Sequence, residues 1–512
     1  MVLIADGMSI DGVTLTRWYN AYDQASGKID TSKNLSIDQM ASGLVRTYWQ
    51  ANGVVGAITD SAPAGTALAT GVKTMDKFIG VSEEKKPLAT ILETSKNIGK
   101  ATGLVATSQI MHATTAAYSS HFPDRSKEAI IAEQQVYNSI DVVFGGGYGN
   151  LQNREDDEDL VNVLKNQGYQ YLTDKKDLTN AKNKTWGMFA ESAMSYEMDQ
   201  KTLTPSEPSL SEMTKKSIDI LSKDKDGFFL MVESSKVDWA AHANDPIGMI
   251  SEINAFDQSV KAALDYAKKN EDTMVIAITD HGNSGLTIGN KQTDTTYSKD
   301  SVDKFVAPLK KAKLTGEGIG KKISGNTDNL VKIMAEYGGI SDLSTEEIAQ
   351  LKAVLNDEKK DKQALYGSNM QALYGQLISK RASLGFTTSG HTGEDITLYT
   401  YLPNDERLTG TINNTDIPKA IAKIWGIDLS KETKNYYTDA KEALEKLGAK
   451  VSIDDSDQNN VKLVATKGKT TLEIPENKNY VLLNGKNKEL ESVAVNVENT
   501  FYVNNKALKL MK

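Results

Sequence analysis

Short apolar runs alternate with amphipathic stretches from the first residue to about residue 286. The runs are VLIA at 2–5, VGAIT at 55–59, TGLVATS at 102–108, DVVFGGG at 141–147, GFFLMVE at 227–233 and TMVIAIT at 273–279. Each is short, rich in branched residues, and closed by a polar residue or a glycine. That is the pattern of strands buried on both faces of a parallel sheet. Between them, 211–223 and 249–269 repeat apolar positions at helical spacing and read as covering helices. The alternation predicts an α/β fold, with a central mostly parallel sheet flanked by helices.

The pattern breaks twice. Residues 287–384 are richer in Lys, Asp and Thr, with helical periods near 329–337 and 346–355. They read as an insertion, a crown or dimer-contact region. The core pattern returns at 385–393, with a strand at 396–402 and a helix near 417–425. Beyond about 448 short alternating runs take over, at 461–464, 470–474, 480–483 and 494–497. The expected organisation is therefore a core of 1–286 and 385–448, an insertion of 287–384, and a small β-rich extension of 449–512. The charged runs at 84–86 and 358–362 read as solvated surface.

Composition narrows the chemistry. A chain of 512 residues, 39% of them hydrophobic, can build more than one domain. A net charge of −9 argues against a nucleic-acid-binding face. It leaves room for a phosphorylated substrate, because bound cations reverse a local field. Cysteine is absent, so a metal here must take histidine, carboxylate, hydroxyl or backbone oxygen. No run is long and apolar enough to span a bilayer. The chain opens directly on a core strand, so a trimmed leader is expected.

The five histidines are His112, His121, His242, His281 and His391. Any one alone reads as a hydrogen-bonded structural residue, but their neighbours change the picture. If helical, Asp238 and His242 share one face at i, i+4. Asp280 and His281 directly follow the run TMVIAIT; Asp6 follows VLIA and Glu233 ends GFFLMVE. In open α/β sheets ligands bind beyond the carboxyl ends of strands. Loop-start capping explains one such carboxylate more easily than three. Ser61 stands where a strand gives way to a helix rich in small residues. It is either an N-cap or a nucleophile whose phosphoryl group meets the positive helix end. No Gly-x-Ser-x-Gly elbow surrounds it, so activation by metal fits better than a Ser-His-Asp triad.

These segments resemble the alkaline phosphatase family. DSAPAGTALATGVKT at 60–74 is similar to the family's nucleophile signature, and HATTAAYSSHFPDR at 112–125 to its metal and phosphate-arginine segment. Asp6-Gly7-Met8, Glu233 to His242, Thr279-Asp280-His281 and Gly390-His391-Thr392-Gly393 match further blocks in the family's order. The match covers 1–286 and about 385–428, and neither the insertion nor the extension.

The resemblance implies a phosphomonoesterase working through a phosphoserine on Ser61, with two zinc ions and one magnesium ion. Asp238, His242 and His391 hold one zinc on this reading, and Asp6, Asp280 and His281 the other. Asp6, Glu233 and Thr114 hold magnesium. Arg125 forks onto phosphate oxygens and Asp60 orients it. His121 takes a structural role. His112 and Trp239 depart from the best-known bacterial form, which has aspartate and lysine there, and read as tuning residues beside the metals. The resemblance also implies phosphomonoester substrates with inorganic phosphate as product. It further implies a homodimer and a secreted, periplasmic or cell-surface location. A sulfatase of this architecture carries its nucleophile in a Pro-Ser-Arg context, which Ser61 lacks, and a diesterase has less use for Arg125. A catalytically idle surface-binding protein is the reading from another class, and it needs no complete metal sets.

Overall fold

The computed structural model describes residues 1–511 except 153, 325–326, 359–368 and 404–406. Most of the charged run at 358–362 lies outside the described residues. The chain forms two compact units. One comprises Met1–Thr47, Met194–Lys215 and Val232–Ile412; the other comprises Tyr48–Ala193, Lys216–Met231 and Asn413–Lys512. The fold is α/β, with a mostly parallel sheet flanked by helices.

In the first unit the strand order is Gly410–Asn413, Ala41–Arg46, Ile396–Tyr401, Val275–Ile278, Val2–Ala5 and then the 232–234 end of Phe228–Ser234, whose earlier residues belong to the second unit. Val2–Ala5 runs parallel to Val275–Ile278 with Ile4 opposite Ile278. Ile396–Tyr401 is antiparallel to both of its neighbours. The helix Pro246–Ala267 starts on a proline behind the N-cap Asp245, whose side chain accepts from the amides of Ile247 and Gly248. Its buried Ile247 and Ile250 share one apolar cluster with Leu15 and with Ile319, Tyr374 and Ile378 of the 287–384 segment. That segment forms the helices Val302–Val306, Gly316–Ile323, Leu330–Glu336, Thr345–Glu358 and Asn369–Arg381. Buried polar contacts fix its docking. Asp199 accepts from Thr315 N at 2.9 Å and Thr315 Oγ1 at 2.6 Å. Asp245 accepts from Gly316 N at 2.9 Å and Gln371 Nε2 at 3.2 Å.

In the second unit the order is Phe228–Ser234, Ala101–Gln109, Val142–Gly146, Thr185–Met188, Gln170–Leu172. The last four pair in parallel. The C-terminal region is β-rich. Lys450–Asp454, Lys462–Lys467, Thr470–Pro475, Tyr480–Leu483 and Lys486–Glu489 form an antiparallel meander. Thr438–Asp439, Thr500–Val503 and Val495–Val497 form a second small sheet. Leu444, Leu463, Leu472, Ile474, Val481 and Phe501 close one apolar core beneath them.

One expected core strand fails. VGAIT at 55–59 does not enter the parallel sheet. Val54–Gly56 instead pairs antiparallel with Trp49–Ala51 as a two-stranded ribbon. Val54, Val55 and Ile58 are all more than half exposed. Gly56 lies under the Trp49 indole, where a Cβ would come within 1.9 Å of Nε1. Local hydrophobicity says that such a run can be buried, and pairing decides whether it is.

Candidate active site

In the first unit, three strand ends supply carboxylates. Asp6 follows Val2–Ala5, Asp280 follows Val275–Ile278, and Glu233 closes Phe228–Ser234; all three are fully buried. Asp6 N donates to Ser234 O at 3.2 Å, which locks two of these ends together. The short helix Lys236–His242 puts Asp238 Oδ2 3.3 Å from His242 Nε2, the i, i+4 pairing expected from the spacing. His391 arrives on a two-residue ribbon, with Asn283 opposite it and Gly282 opposite Thr392.

These side chains converge. His391 Nε2 is 3.5 Å from Asp238 Oδ1 and 3.1 Å from His242 Nε2. His281 Nε2 is 3.4 Å from Asp6 Oδ1 and 3.2 Å from Asp280 Oδ2. The His281 and His391 rings stack at 3.7 Å. Atoms of Asp6, Asp280 and His281 lie close enough to share one ion, as do atoms of Asp238, His281 and His391. His281 thus borders both sets.

Protonation follows from the partners. His242 Nδ1 lies 2.6 Å from the Ser389 carbonyl and His281 Nδ1 lies 3.2 Å from the Gly282 carbonyl. A carbonyl only accepts, so each Nδ1 donates to it, and each Nε2 faces the carboxylates. An imidazole that donates one N–H to a backbone carbonyl and offers the other nitrogen is the usual metal-ligand arrangement. Asn283 Nδ2 donates to Asp238 Oδ1 at 2.6 Å, and Gly7 N and His281 N donate to Asp280 Oδ1.

Electrostatics agree. Burial pushes the Asp6 carboxyl well above its ordinary range, and the nearby Asp280, Asp238 and Glu233 push it further. Burial also raises Asp238, but the hydrogen bond and charge of His242, with His281 and His391, outweigh it and hold that carboxyl well below the ordinary range. Neither Asp6 oxygen has a hydrogen-bond partner among the described residues. A buried cluster of acceptors of this kind is stable only with cations or protons inside it. Mixed histidine and carboxylate donors suit zinc.

In the second unit, Asp60 is the N-cap of the helix Ser61–Thr70 and accepts from Ala62 N at 3.1 Å. Ser61 is therefore the first helical residue, not the cap. It is buried at the positive end of a helix that closes on Gly71 in the left-handed conformation. Gly65 lets this helix approach Ala113–Ser119, since a Cβ there would stand 3.1 Å from Ala117 Cβ. Thr114, on that second helix, is fully buried, and its hydroxyl has no hydrogen-bond partner among the described residues. Arg125 is held on two sides: Nη1 donates to Asp60 Oδ1 at 2.7 Å, and Nη2 lies 2.9 Å from His112 Nε2. A guanidinium only donates, so His112 Nε2 accepts.

Sequence reasoning missed several supports. Asn283, which orients Asp238, lies only two residues beyond His281. Lys236 lies inside the matched block at 233–242. It is buried, with its ammonium 3.1 Å from Glu317 Oε2, 3.0 Å from the Met194 carbonyl and 5.5 Å from the Trp239 ring. Neither residue type signals its role without the fold.

Comparison with known proteins follows the same outline. A family model described as alkaline phosphatase matches residues 1–427, and one described as copper amine oxidase N-terminal domain matches 430–509. Alkaline phosphatase 3 of Bacillus subtilis is 37% identical over 430 residues, covering 83% of this chain and 88% of that protein. The cold-active alkaline phosphatase of the psychrophile Shewanella sp. aligns with a TM-score of 0.71 at 28% identity, over 83% of this chain and 98% of that one. A histidine-to-aspartate variant of the alkaline phosphatase from the Antarctic bacterium TAB5, with magnesium bound in its M3 site, aligns with a TM-score of 0.58. It is 25% identical, over 83% of this chain and 97% of that one.

Proposed function

This chain belongs to the alkaline phosphatase family and is a metal-dependent phosphomonoester hydrolase, and from that premise we propose that it works through a phosphoserine on Ser61 with two zinc ions and one magnesium ion. The observation that carries the metal reading is the convergence of Asp6, Asp238, His242, Asp280, His281 and His391, with histidine Nε2 atoms facing buried carboxylates. Asp238, His242 and His391 would hold one zinc, and Asp6, Asp280 and His281 the other. Asp6, Glu233 and Thr114, all oxygen donors, would hold magnesium, as the family's pattern implies. Bound zinc supplies Lewis acidity, which lowers the pKa of a hydroxyl and neutralises charge on oxygen.

The chain's own groups do the rest. Ser61 Oγ, deprotonated, attacks phosphorus in line with the departing ester oxygen. Its P–O bond forms as the ester P–O bond breaks, and the leaving alkoxide takes up a proton. Water then attacks from the vacated side, releasing phosphate and restoring Ser61. Two inversions retain the configuration at phosphorus. The helix N-terminus favours the negative phosphoryl group. Arg125 donates to phosphoryl oxygens through a guanidinium that Asp60 and His112 hold in place. A loose transition state needs charge neutralisation more than proton transfer.

A homodimer is part of the proposal, supported by the exposed Val54, Val55 and Ile58. So is a location outside the cytoplasm, carried by the family; no described helix is long and apolar enough to cross a membrane. We read 287–384 as an insertion on the catalytic core and the region beyond 449 as an appended module. His112, in the segment assigned to the third site, would set magnesium retention. The test is metal content by plasma emission spectrometry of the parent and of His242→Ala. Close to one zinc per chain should be lost with His242, and an unchanged zinc content would remove that ligand from the scheme.

A further inference from the structure

A second polar cluster is buried in the unit that carries Ser61. Tyr437 Oη donates to Glu93 Oε1 at 2.6 Å and lies 2.7 Å from His121 Nε2, and His121 Nε2 stands 2.9 Å from the same Glu93 oxygen. His121 Nδ1 donates to the Gly80 carbonyl at 2.8 Å. Burial raises the Glu93 carboxyl, but His121 and the Tyr437 hydroxyl outweigh it and hold it below its ordinary range. Burying such groups is unfavourable unless each is paired, so a packed core alone gives no reason for them.

What the cluster holds can be read along the chain. His121 opens the segment that ends in Arg125. Phe122 exchanges two backbone bonds with Ile79, both 2.9 Å, and Arg125 N donates to Lys77 O at 2.9 Å. On its other side the 77–80 segment is tied to the helix Ser61–Thr70. Thr66 Oγ1 donates to Phe78 O at 3.1 Å and accepts from Gly80 N at 2.9 Å. Gly80 is in the left-handed region, and a Cβ there would fall 2.2 Å from Ser120 O and 2.8 Å from His121 Nδ1. Only glycine permits that approach.

The C-terminal region grips this assembly twice. Tyr437 immediately precedes Thr438–Asp439, which pairs with Thr500–Val503, so the hydroxyl is placed by the C-terminal region's small sheet. Asn477 accepts from Gln134 Nε2 at 3.0 Å, and Gln134 clamps the His121 backbone, accepting from its N at 2.7 Å and donating to its O at 3.2 Å. Asn477 and Lys478 also bind the buried Glu133. One contact fixes the His121 side chain and the other fixes its backbone.

We infer that the C-terminal region of residues 430–509 positions the arginine of the phosphate site, with Tyr437 and Asn477 as positioning residues acting through His121. The inference rests on the reading of Arg125 as a phosphate ligand.

The test is a double-mutant cycle in the full-length, metal-loaded enzyme with inorganic phosphate as the probe. Tyr437→Phe should raise the phosphate inhibition constant and the KM for p-nitrophenyl phosphate about 3- to 10-fold, the effect of loosening one charged hydrogen-bond donor, with kcat within about twofold. In an Arg125→Ala background the same change should leave the phosphate constant unmoved, because the group it positions is gone. An unchanged constant in the single variant overturns the inference, and so does an equal rise in both backgrounds. If Tyr437→Phe does not fold, Asn477→Ala carries the same two expectations. Arg125→Ala by itself tests the reading beneath: if it leaves phosphate inhibition unchanged, the ligand assignment fails, whatever Tyr437 does.

Discussion

Replacing Arg125 by alanine removes a guanidinium that the structure holds in place before any substrate arrives. Asp60 Oδ1 at 2.7 Å and His112 Nε2 at 2.9 Å fix its plane, so little side-chain freedom is left to lose on binding phosphate. A fork onto a phosphoryl group makes two charge-assisted hydrogen bonds. The arginine side chain is 15% exposed, so each bond belongs near the low end of the usual range, about 1.5 kcal/mol. Together they contribute about 3 kcal/mol, on the order of 100-fold in affinity. Folding should change little, since Asp60 keeps its capping bond to Ala62. The assay is p-nitrophenyl phosphate hydrolysis with competing inorganic phosphate, alongside thermal melting and metal content. Arg125→Ala should raise the phosphate inhibition constant on the order of 100-fold. Arg125→Lys, which keeps the charge and loses the fork, should raise it about 10-fold. An inhibition constant within twofold of the parent, in a fully metallated protein, would refute the reasoning.

Glu252 is fully buried, and burial pushes its carboxyl from 4.5 up to about 8 despite hydrogen bonds from Glu197 N and Ser251. A raised carboxyl is protonated in the folded state, so stability is full below the unfolded value near 4.5 and is lost as pH rises toward 8. Glu252→Gln should therefore stabilise the protein at pH 9 by up to a few kcal/mol, at about 1.4 per pKa unit, and not at pH 4; equal melting shifts at both pH values would count against the burial argument. His112→Asp should strengthen magnesium retention after dialysis, because a carboxylate holds a hydrated dication better than a neutral imidazole. Adding Trp239→Lys should lower the phosphate inhibition constant by restoring a cation, since the ammonium of Lys236 is already bound to Glu317. If neither quantity moves in the stated direction, the pair does not tune the site.

Much of the candidate site's framework is legible because short-range patterns carry it. Asp6, Glu233 and Asp280 sit at the ends of buried strands whose apolar runs are unmistakable, and one turn of helix brings Asp238 to His242. In the extension, Thr470–Pro475 and Tyr480–Leu483 alternate as half-buried strands should. Lys486–Glu489 carries no such signal, being exposed throughout, and exists as a strand only because it pairs with Tyr480–Leu483. The helix Gly316–Ile323 was equally hidden. Three of its eight residues are glycine, a poor helix former, and Asp199 and Asp245 of the core bind its N-terminal end. VGAIT misled because a hydrophobic run records what can be buried and not what pairs with it. The contacts of Tyr437 with His121 and of Asn477 with Gln134 join residues more than 300 positions apart, and no local pattern announces them.

The covalent role of Ser61 is the claim on which the mechanism turns, and it can be observed directly. The metal-loaded enzyme is incubated with radiolabelled inorganic phosphate at mildly acidic pH, where a phosphoserine hydrolyses slowly, then quenched in acid, digested and mapped by mass spectrometry. The account predicts label close to one per chain on the peptide containing Ser61, stable to acid and labile to strong base, and none on Ser61→Ala. Label on a different residue, or a Ser61→Ala enzyme that turns over p-nitrophenyl phosphate within a few-fold of the parent, would contradict it.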